Sequence, residues 1–129
     1  MATRDIDTGS RTAIEGILDP VVLQGLHELA GDDEPELFAE LIDIYLEDAP
    51  LRLAEMARGL QLSDWKLLER AAHTLKSASA NIGALRLAGL CKELECSART
   101  ADKQACAALF DQSSQHFPEV QAALLGVRS

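Results

Sequence analysis

Apolar residues recur every three or four positions along most of this chain, which is the spacing of one face of an α-helix. The most regular stretch is spaced by three and four residues, which predicts a narrow seam on one face of a helix. The seam consists of Trp65, Leu68, Ala72, Leu75, Ser79 and Ile82. No segment alternates apolar and polar residues over the length of a strand, and no Asn-Gly or Asp-Gly hairpin turn occurs. The pattern predicts an all-α fold.

Start and stop signals divide the first half of the chain into two helices. Asp19, followed by Pro20, predicts the N-cap and first position of a short helix that ends at Gly31. Asp33 and Glu36 stand in capping-box relation and predict the start of a long helix. Pro50 is expected to kink this second helix, because the apolar period resumes beyond it.

Three further helices follow. Ser63 is the predicted N-cap of the third helix, and Gly83 is expected to mark the break between the third helix and the fourth. The fourth helix is predicted to end near Thr100. The last is predicted to kink or break at Pro118 and to end at Gly126. Four long amphipathic helices with short loops predict an antiparallel four-helix bundle with an additional short N-terminal helix.

The domain prediction follows from these elements. Residues 18–126 are predicted to form the bundle, and residues 1–17, which are polar and show no sustained period, are predicted to be a flexible N-terminal tail. The composition, 47% hydrophobic and 26% charged, is that of a globular domain.

Charge narrows the range of partners. Twelve basic residues against twenty-one acidic residues give a net charge of −9, which argues against nucleic-acid binding. The acids are concentrated before residue 65, so the second half lies in a more positive local field. We expect a cytoplasmic protein that does not contact membranes, because no stretch approaches the ~18 apolar residues of a membrane span and no apolar signal segment follows Met1. The three cysteines lack metal-binding or redox spacing.

One histidine is predicted to lie on the solvent side of the third helix. His73 lies about 130° from the mean direction of the seam on a helical wheel. Ser77 and Ala80 are its small neighbours on the following turns, and Lys76 is expected to reach the imidazole from the flank. No Ser–His–Asp or H-x-x-x-H pattern is present. A neutral imidazole is a nucleophile, so this site could accept a phosphoryl group. A solvated surface histidine is the alternative interpretation.

The residues around His73 form a longer motif. The stretch from Ala72 to Ala84, continued by Leu87, Leu90, Cys91, Leu94 and Glu95, resembles the signature of histidine phosphotransfer (HPt) domains. That signature has a His, a Lys three residues on, a small residue, usually Gly, at the next position and a Gly ten residues after the His. His73, Lys76, Ser77 and Gly83 occupy these places, with Ser77 departing from the usual Gly. The resemblance covers about residues 18–125.

The resemblance implies a phosphoryl carrier rather than an enzyme with kinase activity of its own. His73 would take a phosphoryl group from the phospho-Asp of a receiver domain and pass it to the Asp of another response-regulator receiver. Lys76 would stabilise the phosphoryl charge, and Ser77 would be a small neighbour able to donate a hydrogen bond. The partners would be receiver domains of response regulators or hybrid histidine kinases. No cofactor is expected on this chain, Mg²⁺ is expected on the receiver, and a monomer is expected.

Weaker roles and two alternatives accompany this interpretation. Glu69 is a candidate to orient the ring by accepting from Nδ1, and Arg70 and Arg86 are candidates for added positive potential, with solvated surface residues as the alternative. Gly83 is expected to be structural. One alternative function is a pseudo-HPt adaptor that binds receivers without phosphotransfer. The other is a helical scaffold without a signalling role.

Overall fold

The computed structural model describes residues 16–31 and 34–128. The predicted tail therefore lies outside the described residues except for residues 16 and 17. The helices are α1 (Pro20–Ala30), α2 (Pro35–Leu62), α3 (Trp65–Asn81), α4 (Leu85–Arg99) and α5 (Lys103–Arg128). No strand occurs within the described ranges. The prediction of an all-α fold is confirmed.

The four long helices form a closed ring of neighbours. Helix α3 packs between α2 and α4, and α5 completes the ring by packing against α4 and α2. The connections at 63–64, 82–84 and 100–102 are short, so consecutive helices run antiparallel. Helix α1 packs against α2. This is the predicted four-helix bundle with an additional N-terminal helix.

Capping of α1 agrees with the prediction, but capping of α3 does not. The Asp19 carboxylate accepts from the Val21 N–H at 2.9 Å. Helix α2 begins at Pro35, and Glu34 in its N-cap position makes no side-chain capping hydrogen bond. The predicted cap, Asp33, lies outside the described residues. Pro35 takes the first helical position, where its missing N–H has no cost.

The N-cap predicted for α3 is wrong by one residue. Asp64 is the cap, and its carboxylate accepts from the Leu67 N–H at 3.1 Å. Ser63 instead ends α2 in the left-handed region, with φ of 52°, and its N–H points back to the last carbonyls of that helix. The turn is so tight that one residue must close α2 while the next opens α3.

Helix α5 is longer than predicted, whereas α2 continues past Pro50 as predicted. Helices α2 and α5 continue through Pro50 and Pro118, so the chain does not break at Pro118. Helix α5 also passes Gly126 and ends at Arg128. A glycine costs a helix only about 1 kcal/mol, and Val127, beyond Gly126, packs against the core. The Arg128 guanidinium binds Asp43 of α2 at 2.5 and 2.6 Å.

The predicted seam forms the centre of the core. Leu68, Ala72 and Leu75 are fully buried, and Trp65 packs against the core from its edge. Ser79 is also fully buried, and its hydroxyl forms a hydrogen bond of 2.8 Å with the Tyr45 hydroxyl of α2. That bond satisfies the one hydroxyl group of the seam.

Gly83 joins α1 to the turn between α3 and α4. Its φ of +87° is in the region that favours glycine, and its carbonyl accepts from the Asp19 N–H at 2.8 Å. A Cβ at this position would lie 3.2 Å from the Asp19 carbonyl oxygen. The structural role expected for Gly83 is confirmed.

Within the described ranges, no helix has the apolar length needed to cross a bilayer.

Two glycine-to-alanine substitutions should change stability in opposite directions. A Cβ on Gly59 of α2 would lie 3.0 Å from Cβ and backbone N of Leu68, so the backbone of α3 would have to shift by a few tenths of an ångström. We expect the resulting strain of about 1–3 kcal/mol to outweigh the helix-propensity gain. Gly89→Ala on α4 meets nothing within 4 Å, so it should stabilise by about 0.5–1 kcal/mol. Urea unfolding of both variants measures the two signs, and a stabilised Gly59→Ala would contradict the packing argument.

Candidate functional site

His73 lies in the middle of α3 on the side turned away from the core. Its side chain is 58% exposed, while its neighbour Ala72 is fully buried. Leu75, two residues on, is also fully buried. The helical period therefore directs the imidazole to solvent, as the wheel predicts.

A buried carboxylate from the next helix holds one side of the ring. His73 Nδ1 lies 2.9 Å from Glu95 Oε2. Glu95 belongs to α4, and only 5% of its side chain is exposed. The close packing of α3 against α4 brings together two residues that are distant along the chain.

The charge of Glu95 determines which ring nitrogen carries the proton. Burial by itself raises the pKa of Glu95, but hydrogen bonds from Lys76 and His73, with the charges of these residues, outweigh it and leave this pKa below its ordinary range. Glu95 is therefore an ionised carboxylate, which can only accept hydrogen bonds. His73 Nδ1 must donate to it, so the lone pair of the neutral ring is on Nε2.

Lys76 lies beside His73 but forms its ion pair with Glu95. Its Nζ donates to Glu95 Oε1 at 2.7 Å, and its side chain is 29% exposed. The expected reach of Lys76 to the imidazole is therefore replaced by a contact with the acid behind it. Ser77 is exposed, and Ala80 is half-buried. The neighbours of His73 on the following turns therefore have small side chains.

Arg99 at the end of α4 is a third donor to the buried acid. Its Nη2 lies 2.9 Å from Glu95 Oε2, and its Nε lies 2.6 Å from Glu69 Oε2 on α3. The prediction that Glu69 accepts from His73 Nδ1 is wrong, because Glu95 holds Nδ1 and Glu69 instead binds Arg99. Arg70 and Arg86 are exposed.

Sequence reasoning included Glu95 in the HPt-like stretch but assigned it no role. Its contact with His73 crosses between helices, so no periodicity within one helix reveals it. A signal was present nonetheless. Glu95 follows Leu94 and lies one turn after Cys91, on a face of α4 that is otherwise apolar. An acid in such a place is rarely buried without a partner.

The other candidate nucleophiles lack this combination of exposure and support. Burial raises the pKa of Cys91 to about 12, which keeps its thiol protonated. His116 is buried, with Nδ1 3.3 Å from Glu119 Oε2. His27 is exposed and packs against the Phe38 ring. Cys96 is exposed, unlike Cys91 and Cys106.

Comparison with known proteins agrees with the geometry. The sequence model of the Hpt domain matches residues 40–129, which is most of the chain. The chain belongs to the Hpt domain family. This Hpt domain is 27% identical over 106 residues to histidine-containing phosphotransfer protein 1 of Arabidopsis thaliana, covering 81% of this chain and 68% of that protein. It is 29% identical over 79 residues to multistep phosphorelay regulator 1 of Schizosaccharomyces pombe, covering 61% of this chain and 27% of that protein.

A solved structure has the same architecture. Histidine-containing phosphotransfer protein B (HptB) of Pseudomonas aeruginosa superposes with a TM-score of 0.79 at 37% identity, covering 86% of this chain and 93% of that one. Family membership and this likeness support a function in phosphotransfer within a phosphorelay.

The Glu95 carboxylate should make the stability of the fold depend on pH. Because its pKa in the folded protein lies below the ordinary value of 4.5, the carboxylate stabilises the fold above that pH. This contribution is lost as the pH falls through the folded-state pKa. We expect the free energy of unfolding of Glu95→Gln to fall below that of wild type near neutral pH and to converge with it in acid. Urea unfolding over a pH series measures this, with Glu93→Gln, an exposed acid on α4, as the control. Parallel curves for wild type and Glu95→Gln would contradict the prediction.

Proposed function

We propose that His73 is the phosphoacceptor of this Hpt domain. It would take a phosphoryl group on Nε2 from the phospho-Asp of one receiver domain and pass it to the Asp of another. The observation that carries the proposal is the exposed imidazole whose Nδ1 is held by the buried carboxylate of Glu95. This arrangement leaves Nε2 both nucleophilic and reachable by a second protein.

The transfer balances without a proton acceptor on this chain. The Nε2 lone pair forms the N–P bond while the bond between phosphorus and the aspartyl oxygen breaks, and the aspartate leaves with that electron pair. The ring keeps its proton on Nδ1 and becomes formally positive. The Glu95 carboxylate stabilises that charge at 2.9 Å. Transfer to the second receiver is the reverse, with the neutral imidazole as the leaving group.

The neighbours of His73 support the same chemistry. Lys76 has three N–H donors and uses one on Glu95, so it can donate to a phosphoryl oxygen without leaving the acid. Ser77 is exposed on the turn after His73. Its small side chain leaves room for a receiver, and its hydroxyl is a donor for the phosphoryl group.

The wider proposal concerns partners and conditions. Receiver domains of response regulators or hybrid kinases are the partners, and the domain acts as a monomeric carrier without kinase activity of its own. Mg²⁺ is supplied on the receiver, and no cofactor is held by this chain. We further propose that the domain works in the cytoplasm without binding nucleic acid or membranes. The three cysteines, all in the described part of the chain, are unpaired, as in most cytosolic proteins.

Labelled phosphate should reach His73 and no other histidine. Incubation of the domain with a receiver carrying labelled phospho-Asp should give label that is lost in acid and kept in base. His73→Gln should accept none. His27→Gln, which removes an exposed histidine of α1, should accept as much as wild type. Equal labelling of His73→Gln would refute the phosphoacceptor, and binding of a receiver without any labelling would favour the adaptor.

Lys76→Gln should slow transfer through lost charge stabilisation. One ammonium beside the developing phosphoryl charge is expected to contribute about tenfold or more to the rate, which is about 1.4 kcal/mol or more of barrier. Lys66→Gln removes an exposed lysine of the same helix and should leave the rate unchanged. Rapid-quench measurement of label transfer compares the two, and an equal loss in both variants would assign the effect to net charge alone.

A further inference from the structure

At the C-terminal end of α4, Arg99 forms a polar bridge that the phosphoacceptor proposal does not use. Arg99 binds Glu95 through Nη2 and Glu69 through Nε, at 2.9 and 2.6 Å. Glu69 lies one turn before His73 on α3, and Glu95 holds the His73 ring. One guanidinium therefore links the helix of the acceptor to the acid that orients it.

The oxygen that Arg99 contacts is the one that the imidazole needs. His73 Nδ1 and Arg99 Nη2 both donate to Oε2 of Glu95, while Lys76 donates to Oε1. A carboxylate oxygen has two lone pairs. With Arg99 on one of them and Lys76 on the other oxygen, the carboxylate plane is held so that the remaining Oε2 lone pair faces Nδ1.

Lys76 alone does not define that orientation. A single ammonium on Oε1 leaves the carboxylate free to turn about its terminal torsion, which is broad for glutamate. A planar guanidinium anchored at both ends restricts this torsion, and a compact ammonium cannot span two carboxylates in the same way.

We propose that Arg99 is a positioning residue for phosphotransfer, with Glu69 as its anchor. It would act through Glu95, by holding the carboxylate where it keeps the His73 proton on Nδ1 and the lone pair on Nε2. The inference rests on the proposed role of His73 as phosphoacceptor. Glu69 thus contributes to the orientation of the ring through Arg99 rather than by contact with it.

The exposure of the bridge separates this role from a structural one. The Arg99 side chain is 56% exposed, although the Glu95 side chain that it contacts is buried. In Arg99→Gln, Glu95 keeps Lys76 and His73 as donors and water can take the vacated place, so little stability should be lost. Arg99→Gln should therefore unfold at nearly the same urea concentration as wild type. A change in the ring of His73 in a variant of normal stability would not follow from a role in the fold.

The test reads the tautomer of His73 directly. We would record the ¹⁵N chemical shifts of the His73 ring in the unphosphorylated protein near pH 8, which is above the usual titration range of histidine. Wild type should show the proton on Nδ1. Arg99→Gln and Glu69→Gln should both show part of the population with the proton on Nε2. Transfer of label to Arg99→Gln should be slowed by about tenfold, the lower end of the range found when residues that orient metal-bound histidines are replaced.

Two further variants distinguish bridging from charge. Arg99→Lys keeps the charge but not the fork, so it should resemble Arg99→Gln in both measurements. Lys92→Gln removes an exposed cation from α4 and should resemble wild type. Wild-type ring shifts in Arg99→Gln, full rescue by Arg99→Lys, or the same change in Lys92→Gln would each overturn the proposal.

These outcomes are independent of whether His73 accepts phosphate. The ¹⁵N shifts of the His73 ring are recorded on protein that has not been mixed with a receiver domain. If His73→Gln accepts label as wild type does, the phosphoacceptor proposal fails whatever the ring shows. If His73→Gln accepts none and the ring is unchanged in Arg99→Gln, the positioning proposal alone fails.

Discussion

The hydrogen bond between His73 and Glu95 is the contact on which the site depends. It joins an exposed imidazole to a carboxylate that is almost fully buried, at 2.9 Å. A buried anion is costly unless donors surround it. Glu95 meets this requirement with donors from three residues, and one of those donors is the imidazole itself. Because the buried carboxylate needs the imidazole as a donor, the same hydrogen bond fixes the orientation of the ring.

The bundle supplies the rigidity that this contact needs. Helices α3 and α4 are the most closely packed pair of the fold. Gly83 turns the chain between them with a positive φ, and α1 is tied to that turn by the bond from Asp19. On the far side of α3, the Tyr45–Ser79 hydrogen bond links the same helix to α2. The helix that carries His73 is thus held from both sides while its outer face stays open.

Such a site suits a carrier. A receiver must reach Nε2, transfer its group and leave, so the acceptor side must be exposed and free of bulky neighbours. The opposite side of the ring must not move, because the reacting atoms need alignment. His73 satisfies both conditions, with Ser77 exposed nearby and Glu95 behind it. The positive ring that phosphorylation of His73 would form lies against a carboxylate, which would make the charged state accessible in both directions of transfer.

The sequence by itself determined the fold class, the number and order of the helices, and the exposed face of α3 with His73, Lys76 and Ser77 on it. Each of these follows from local spacing, because a 3.6-residue period places a side chain on a face whatever surrounds the helix. The N-cap of α3 shifted by one residue to Asp64, because Ser63 closes α2. Only the tertiary structure decided the partners of these side chains. Glu95 rather than Glu69 holds the ring, Lys76 binds that acid rather than the imidazole, and Arg99 bridges both acids. These contacts form between helices, and their distances depend on how α3 and α4 are rotated against one another, which no periodicity within a single helix records.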